Sequence, residues 1–292
     1  MMAARPKTLP AAIAPVLVGT AMAIHDGAFR PLPALAALLG SLLLQIGVNL
    51  ANDYFDYVKG VEQPDRKGPI RVTQAGLIPP KQVRNGMIAT FVLSAVIGVY
   101  LIIVGGWPIL AIGVASILSA LAYSGGPFPL ASHGLGDLFV FIFFGLSAVC
   151  GTYWVQALKL PTLVILTAVP PGLLITAILV VNNLRDIEQD RRAGKNTLAV
   201  ILGETEARVE YAMLLLAAYL IPVSLLAAGQ MKAWVLLPLV TIPLGIQLVR
   251  AITGPNEGPP MNKALAGTAQ LALFYSVLFS LGIVLSALVP SL

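Results

Sequence analysis

The sequence predicts an all-α integral membrane protein of about nine transmembrane helices, with the N-terminus inside and the C-terminus outside. Three observations predict it. The 292-residue chain is 58% hydrophobic and only 11% charged, and its mean hydropathy is +0.88, which excludes an ordinary soluble domain. Apolar windows close to the ~20 residues that cross a bilayer recur along the whole length. The basic residues fall on alternate sides of those windows in a lopsided way, as retention of positive loops on the inner side requires.

Taken in order, the windows are about 9–25, 32–52, 83–104, 107–124, 135–157, 161–184, 207–228, 232–252 and 265–289. The first follows Arg5 and Lys7 and ends near Ala21-Met22-Ala23, an arrangement also found in secretory leaders. Pro10 and Pro15 interrupt it and further spans follow, so it is expected to be a retained first helix. With the N-terminus inside, 15 of the 18 Lys and Arg residues lie on the inner side, and only Arg30, Lys159 and Lys232 lie outside. Trp107, Trp154 and Trp234 all fall at the outer interface in this scheme, where an aromatic belt forms. The net charge of +5 therefore signals topology rather than a nucleic-acid partner. Cys150 is the single cysteine and precludes an intrachain disulfide, while His25 and His133 are too far apart for an obvious metal pair. Structural roles are expected for both histidines.

Residues 1–292 read as one polytopic domain, within which two helical units, about 32–82 and 161–206, are similar. Each ends an apolar run with an Asn/Asp segment and continues into a basic loop, expected at about 53–82 and 185–206. Asn49, Asn52, Asp53 and Asp56 stand at i, i+3, i+4 and i+7, one helix face, and Asn182, Asp186 and Asp190 stand at i, i+4 and i+8. Gly60 and Gly194 occupy similar places beyond them. Carboxylates are costly beside lipid, so two such clusters are functional candidates. Magnesium takes oxygen ligands and is commonly held by one or two carboxylates plus phosphate oxygens. Asp53, Asp56, Asp186 and Asp190 are the candidate ligands, and Asn49, Asn52, Asn182 and Asn183 can bind water, metal or phosphate without adding charge. Lys67, Arg71 and Lys195 are the candidate partners of a diphosphate. Tyr123, at the inner end of the fourth span, is a candidate to present a hydroxyl, and Asp137, at the start of the fifth, is a third buried-acid candidate. Glu62, Asp65 and Glu188 are expected to face solvent.

These residues resemble the UbiA-type intramembrane aromatic prenyltransferases, and among them the 1,4-dihydroxy-2-naphthoate prenyltransferases of menaquinone and phylloquinone synthesis. The carriers are Arg5-Pro-Lys-Thr-Leu-Pro10 and its continuation to Pro15, Asn52 to Gly60, Gly68 to Gly76, Tyr123 to Pro127, Gly134 to Asp137, Asn182 to Gly203, Met261-Asn262 and Thr268 to Gln270. The resemblance implies helices around a central cavity open to the cytoplasmic side. It also implies Mg²⁺ held by Asp53, Asp56, Asp186 and Asp190, and a prenyl or phytyl diphosphate as donor. The acceptor it implies is 1,4-dihydroxy-2-naphthoate, prenylated with loss of CO₂ and diphosphate. Two departures bear on this: Glu62 stands where relatives often carry Asp, and Gly125-Gly126-Pro127-Phe128 replaces the Lys-Arg pair common near this position in 4-hydroxybenzoate users. Prenylation of 4-hydroxybenzoate or homogentisate, and cation-coupled transport through the same Asn/Asp helices, are the alternatives the residues leave open.

Overall fold

The computed structural model describes residues 5–60, 72–254 and 259–289. Each predicted span coincides with a helix, and no strand occurs among the described residues. Helices α1 (Pro10–His25), α2 (Pro31–Lys59), α3 (Pro80–Gly105) and α4 (Trp107–Ser124) are followed by α5 (Gly136–Ala157). Next come α6 (Thr162–Arg192), the short α7 (Leu198–Leu202) and α8 (Glu204–Ala227). The series closes with α9 (Ala233–Ile252) and α10 (Pro259–Leu288). Eight of them are long and apolar enough to cross a membrane, and α1 is a shorter apolar helix of 16 residues. With the family assigned below, this makes the chain a multi-pass integral membrane protein. Helix α9 departs from a uniform α-helix: Ala233–Thr241 winds as 3₁₀, and α-geometry begins only at Ile242.

The loops begin later than the sequence suggests. Helices α2 and α6 are 29 and 31 residues long, some ten residues more than the ~20 that span the apolar layer. The surplus turns carry both Asn/Asp segments as helix, so the connections start after Gly60 and Arg192 instead of at residues 53 and 185. Gly60 and Gly194 then turn the chain away in left-handed backbone, with φ of 62° and 69°.

The helices sort into two groups. The larger core joins α1, the C-terminal half of α5, α6, α8, α9 and α10 around fully buried Tyr153, Leu174, Tyr211, Tyr275 and Phe279. A smaller cluster joins α2, α3 and α4 through Ala51, Met87, Phe91 and Ala120. Helix α4 is the least embedded, with Ile109 and Ala120 as its buried residues. The two groups meet around a cavity, and α5 and α6 form its firm wall. There Phe141–Ser147 of α5 widens into π-turns, opposite Pro170 and Pro171 in α6. A Cβ on Gly145 would lie 2.8 Å from Gly172 Cα, and one on Gly172 would lie 2.9 Å from Gly145 Cα. The backbones touch, as small residues allow at membrane helix crossings.

The predicted structural roles of the histidines fit their contacts. His25 Nδ1 lies 2.8 Å from Asp26 Oδ1, and His133 Nδ1 lies 2.8 Å from the Pro129 carbonyl while its ring stacks on Phe128. Because the α5–α6 crossing has no room for a side chain, Gly172→Val should lower the unfolding free energy in detergent by about 1–3 kcal/mol. Thermal unfolding followed by helical circular dichroism measures it, and Gly27→Ala, in an exposed turn, sets the scale for a glycine lost only at a bend.

Candidate active site

A cavity of about 780 Å³ opens at the ends of α2, α4 and α6 where the polar turns gather. From α2 it receives Gln45, Asn49, Asn52, Asp56 and Lys59, from α4 Tyr123 and Ser124, and from α6 Asn182, Asn183, Asp186, Gln189 and Asp190. Lys195, beyond α6, and Arg5 and Thr8, before α1, complete the polar end. The opposite end, lined by residues such as Leu101, Ile109, Phe143 and Val155, is apolar.

Hydrogen bonds fix the pieces to one another. Asn49 Nδ2 donates to Thr8 Oγ1 at 2.9 Å, which ties the N-terminal turn to α2. Ser124 Oγ donates to Asn52 Oδ1 at 2.8 Å, and Lys59 Nζ donates to the carbonyls of Ser124 and Gly126 at 2.7 and 3.3 Å. A cation on the Ser124 carbonyl, the last of α4, complements the negative end of that helix. The two acidic segments meet through Lys195, whose Nζ lies 3.8 Å from Asp56 Oδ1. Its backbone is set by the turn after α6, where Lys195 N donates to the Asp190 carbonyl at 2.9 Å. Asn196 N then donates to the Ser132 carbonyl at 3.1 Å, anchoring the loop before α5 beside the cavity.

Arg185 is the contact that sequence reasoning missed. Counted from sequence as an inner loop cation, it lies within α6 with a side chain 0% exposed. Its Nε and Nη2 donate to the two oxygens of Asp186 at 2.8 and 2.6 Å, Nη2 also donates to Asn182 Oδ1 at 2.9 Å, and Nη1 donates to Asn262 Oδ1 at 3.0 Å. A planar guanidinium suits this divided task, since its donors are held in a fixed fork. The signal available in the sequence was an Arg inside an Asn/Asp helix face, next to the acid it neutralises. Gln45 was also missed, although it extends the Asn49–Asn52–Asp56 line by one turn. It is 8% exposed, lines the cavity, and its Oε1 has no hydrogen-bond partner.

Asp53 is placed differently from the expectation. It is 2% exposed, it is not among the cavity-lining residues, and its Oδ1 has no hydrogen-bond partner. The reason is angular. At 3.6 residues per turn, Asn49, Asn52 and Asp56 fall within about 60° of one another, and Asp53 lies about 40° outside that arc. Asp137 is likewise buried and off the cavity, and neither of its oxygens has a hydrogen-bond partner. Tyr123 does reach the cavity, and Gly136 leaves room for it, since a Cβ there would lie 3.3 Å from the hydroxyl. Glu188 is exposed as expected and pairs with Arg191 at 2.5 Å. Lys67 and Arg71, with Glu62 and Asp65, lie outside the described residues.

As a donor set, Asp56, Asp186 and Asp190 with the neighbouring Asn carbonyls fit a hard, oxygen-seeking cation. No group of three or more His, Cys, Asp or Glu side chains gathers around one point among the described residues. A cation here would therefore take one or two of these carboxylates and complete its shell with phosphate oxygens and water. Facing these acids, Lys195 supplies a cationic contact for an anion, and the apolar end has room for a hydrocarbon chain.

The comparisons with known proteins agree with this architecture. Residues 12–278 match the model of the UbiA prenyltransferase family. The chain is 42% identical to the 1,4-dihydroxy-2-naphthoate octaprenyltransferase of Escherichia coli K12, over 97% of this chain and 94% of that one. It is 38% identical to the protein of the same name from Mycobacterium tuberculosis, over 94% and 92%. Among solved structures, a UbiA homolog from Aeropyrum pernix superposes with a TM-score of 0.71 at 18% identity, covering 96% and 98% of the two chains. One from Archaeoglobus fulgidus, bound to DMAPP and Mg²⁺, gives 0.67 at 15% identity over 97% and 98%. A family match over most of the chain, on a cavity where two Asn/Asp helix faces meet, has one reading: this chain belongs to the UbiA prenyltransferase family.

Proposed function

We propose that the chain transfers a polyprenyl group from its diphosphate to 1,4-dihydroxy-2-naphthoate, releasing CO₂ and diphosphate and forming the demethylated menaquinol. The observation that carries this is the near-full-length identity to relatives bearing that activity in their names, on a chain whose polar cavity end adjoins an apolar one. The neighbour that holds DMAPP and Mg²⁺ supports a prenyl diphosphate and that metal at the polar end. Confinement of the acids to one end of α2 and α6, away from mid-membrane, favours transfer over cation-coupled transport. The split of basic residues supports a site facing the cytoplasm. The matching length, polar ends and terminal glycines of α2 and α6 support two similar units at about 32–82 and 161–206 within one domain.

Asp56, Asp186 and Asp190 would hold Mg²⁺, which supplies positive charge to the leaving diphosphate. Arg185 grips both oxygens of Asp186 and so fixes the orientation of that carboxylate. Lys195 stands beside Asp56 and would donate to the diphosphate oxygens as the allylic C–O bond breaks and its electron pair stays with diphosphate. Asn52, fixed by Ser124, and Asn182, fixed by Arg185, orient that end of the substrate. The apolar walls keep water from the allylic cation. The ring carbon bearing the carboxylate attacks the cation, a C–C bond forms, and CO₂ departs, returning its bonding electrons to the ring. Tyr123 and Gln45 both face the cavity, within which the acceptor must lie.

Purified protein in detergent, given octaprenyl diphosphate, 1,4-dihydroxy-2-naphthoate and Mg²⁺, should yield the prenylated naphthoquinol with CO₂, and EDTA should stop it. Prenylation of 4-hydroxybenzoate or homogentisate instead would overturn the acceptor. Asp56→Asn and Asp190→Asn should each lower turnover by about 100-fold or more. Asp53→Asn, off the cavity, should cost about tenfold or less; equal losses at Asp53 and Asp56 would place both carboxylates in the same role. Arg185→Ala leaves Asp186 buried without its counter-charge and should cost about 3–5 kcal/mol of stability. Arg185→Lys should restore most of that in thermal unfolding while turnover stays low, since an ammonium cannot reproduce the fork.

A further inference from the structure

An amide withdrawn from water without a hydrogen bond costs free energy, so a polar side chain in the apolar part of a membrane helix points to a partner. Several polar side chains along the cavity have theirs. Asn49 donates to Thr8, Ser124 donates to Asn52, and Ser41 Oγ donates to the Ala12 carbonyl at 3.1 Å. Gln45 of α2 is the exception. It lies on the cavity wall one turn beyond Asn49, it is buried, and its Oε1 accepts no hydrogen bond. Polar residues that join membrane helices spend such an oxygen on a neighbouring helix.

The level of Gln45 in the cavity follows from contacts nearer the polar end. The Asn52–Ser124 hydrogen bond sets α2 and α4 in register there. Both helices run toward that end, so seven residues back from each, about 10 Å, Gln45 stands level with Ile117, between Ser116 and Ser119. Those serines share one face of α4 with Tyr123, at i, i+3 and i+7, and line the cavity. Helix α5 runs the opposite way from Gly136, which lies against Tyr123. Four and seven residues along it, Val140 and Phe143 reach the level of Ser119 and Ser116 and line the cavity. The Phe143 ring stacks on Phe139 with centroids 6.1 Å apart.

This level therefore combines an aromatic and apolar wall from α5, an amide from α2 and two hydroxyls from α4, which suits a flat hydroxylated ring. Eleven residues separate Gln45 from Asp56, about 16 Å along α2. The amide thus stands beyond a diphosphate held by that carboxylate, with room between them for the reacting carbon and a ring. We propose that Gln45 recognises the aromatic acceptor through its second ring hydroxyl, the one remote from the carbon that is prenylated, and so sets the preference for a dihydroxylated acceptor. The inference rests on 1,4-dihydroxy-2-naphthoate as that acceptor. Its hydroxyl at position 1 adjoins the reacting carbon, and its hydroxyl at position 4 lies further round the ring. The Gln45 amide, turning about its last bond, accepts from that O–H through its oxygen or donates to the hydroxyl oxygen through its N–H.

The test uses the purified full chain in detergent with octaprenyl diphosphate and Mg²⁺. It compares 1,4-dihydroxy-2-naphthoate with 1-hydroxy-2-naphthoate, which keeps the carboxylate and the hydroxyl beside the reacting carbon. Gln45→Met preserves side-chain length and removes the hydrogen bond. It should lower kcat/KM for the dihydroxy acceptor by about tenfold or more, chiefly through KM, and change that for the monohydroxy acceptor by less than about twofold. Ser41→Ala, whose hydroxyl is already committed to Ala12, should alter neither by more than about twofold. Equal losses with both acceptors, an unchanged KM for the dihydroxy acceptor, or a raised KM for octaprenyl diphosphate in its place overturns the proposal. So does misfolding or a lowered unfolding temperature of Gln45→Met, because the amide would then be holding helices together. Failure of the unsubstituted protein to prenylate either naphthoate refutes the acceptor reading itself, a result distinct from a lost preference.

Discussion

A carboxylate beside a bilayer stays charged only if something nearby answers its charge, and the site depends on how this chain meets that requirement. Arg185 is withdrawn completely from solvent and spreads its donors over Asp186, Asn182 and Asn262. One guanidinium thereby fixes about one turn of α6 and links it to α10. Lys195 does similar work in a looser way, standing between the α6 turn and Asp56 of α2. Breaking a buried ion pair by removing one partner is expensive, because the remaining charge is stranded. The acids therefore need this network before any substrate arrives, and the helices that bear it have to be long enough to bring it out of the apolar layer.

That length links the fold to the chemistry. Helices α2 and α6 are both longer than a bilayer needs, and both spend the excess on Asn and Asp. Ordinary loops would leave these side chains on mobile backbone, whereas helical turns fix their spacing and direction. The neighbouring anchors reinforce this: Thr8 holds Asn49, Ser124 holds Asn52, and Lys59 closes the end of α4. The polar end is accordingly a set of helix termini locked to one another, with the apolar remainder of the cavity behind it.

Much of this was legible in the chain. The lengths of the apolar runs gave the helices, because crossing lipid permits few other backbones, and the Asn/Asp spacing gave the two faces. What sequence spacing could not resolve was the width of the face that the cavity uses. Asp53 satisfies the i+4 rule from Asn49 and still falls outside the arc taken by Asn52 and Asp56. Arg185 was hidden because charge counting treats a cation near a helix end as a loop signal, and only the packing of α10 shows that Asn262 meets it. Gln45 carries no charge and sits among leucines, so nothing in composition separates it from the apolar run. The 3₁₀ winding at the start of α9 reflects tertiary packing, which an even hydropathy profile does not encode.

The division of the molecule into a dense group of helices and a loosely embedded one separates stability from cavity shape. Residues that hold the protein together are concentrated in α1, α6 and α8–α10, whereas much of the cavity's apolar wall comes from α3 and α4, which carry little of the core. Mutations in that wall can drift in size with small effects on folding, and they lie far from the carboxylates. The scaffold therefore keeps the side chains that stabilise it apart from those that shape the apolar end of the cavity, so the hairpin of α3 and α4 can change the size of that end while little of the buried core is lost.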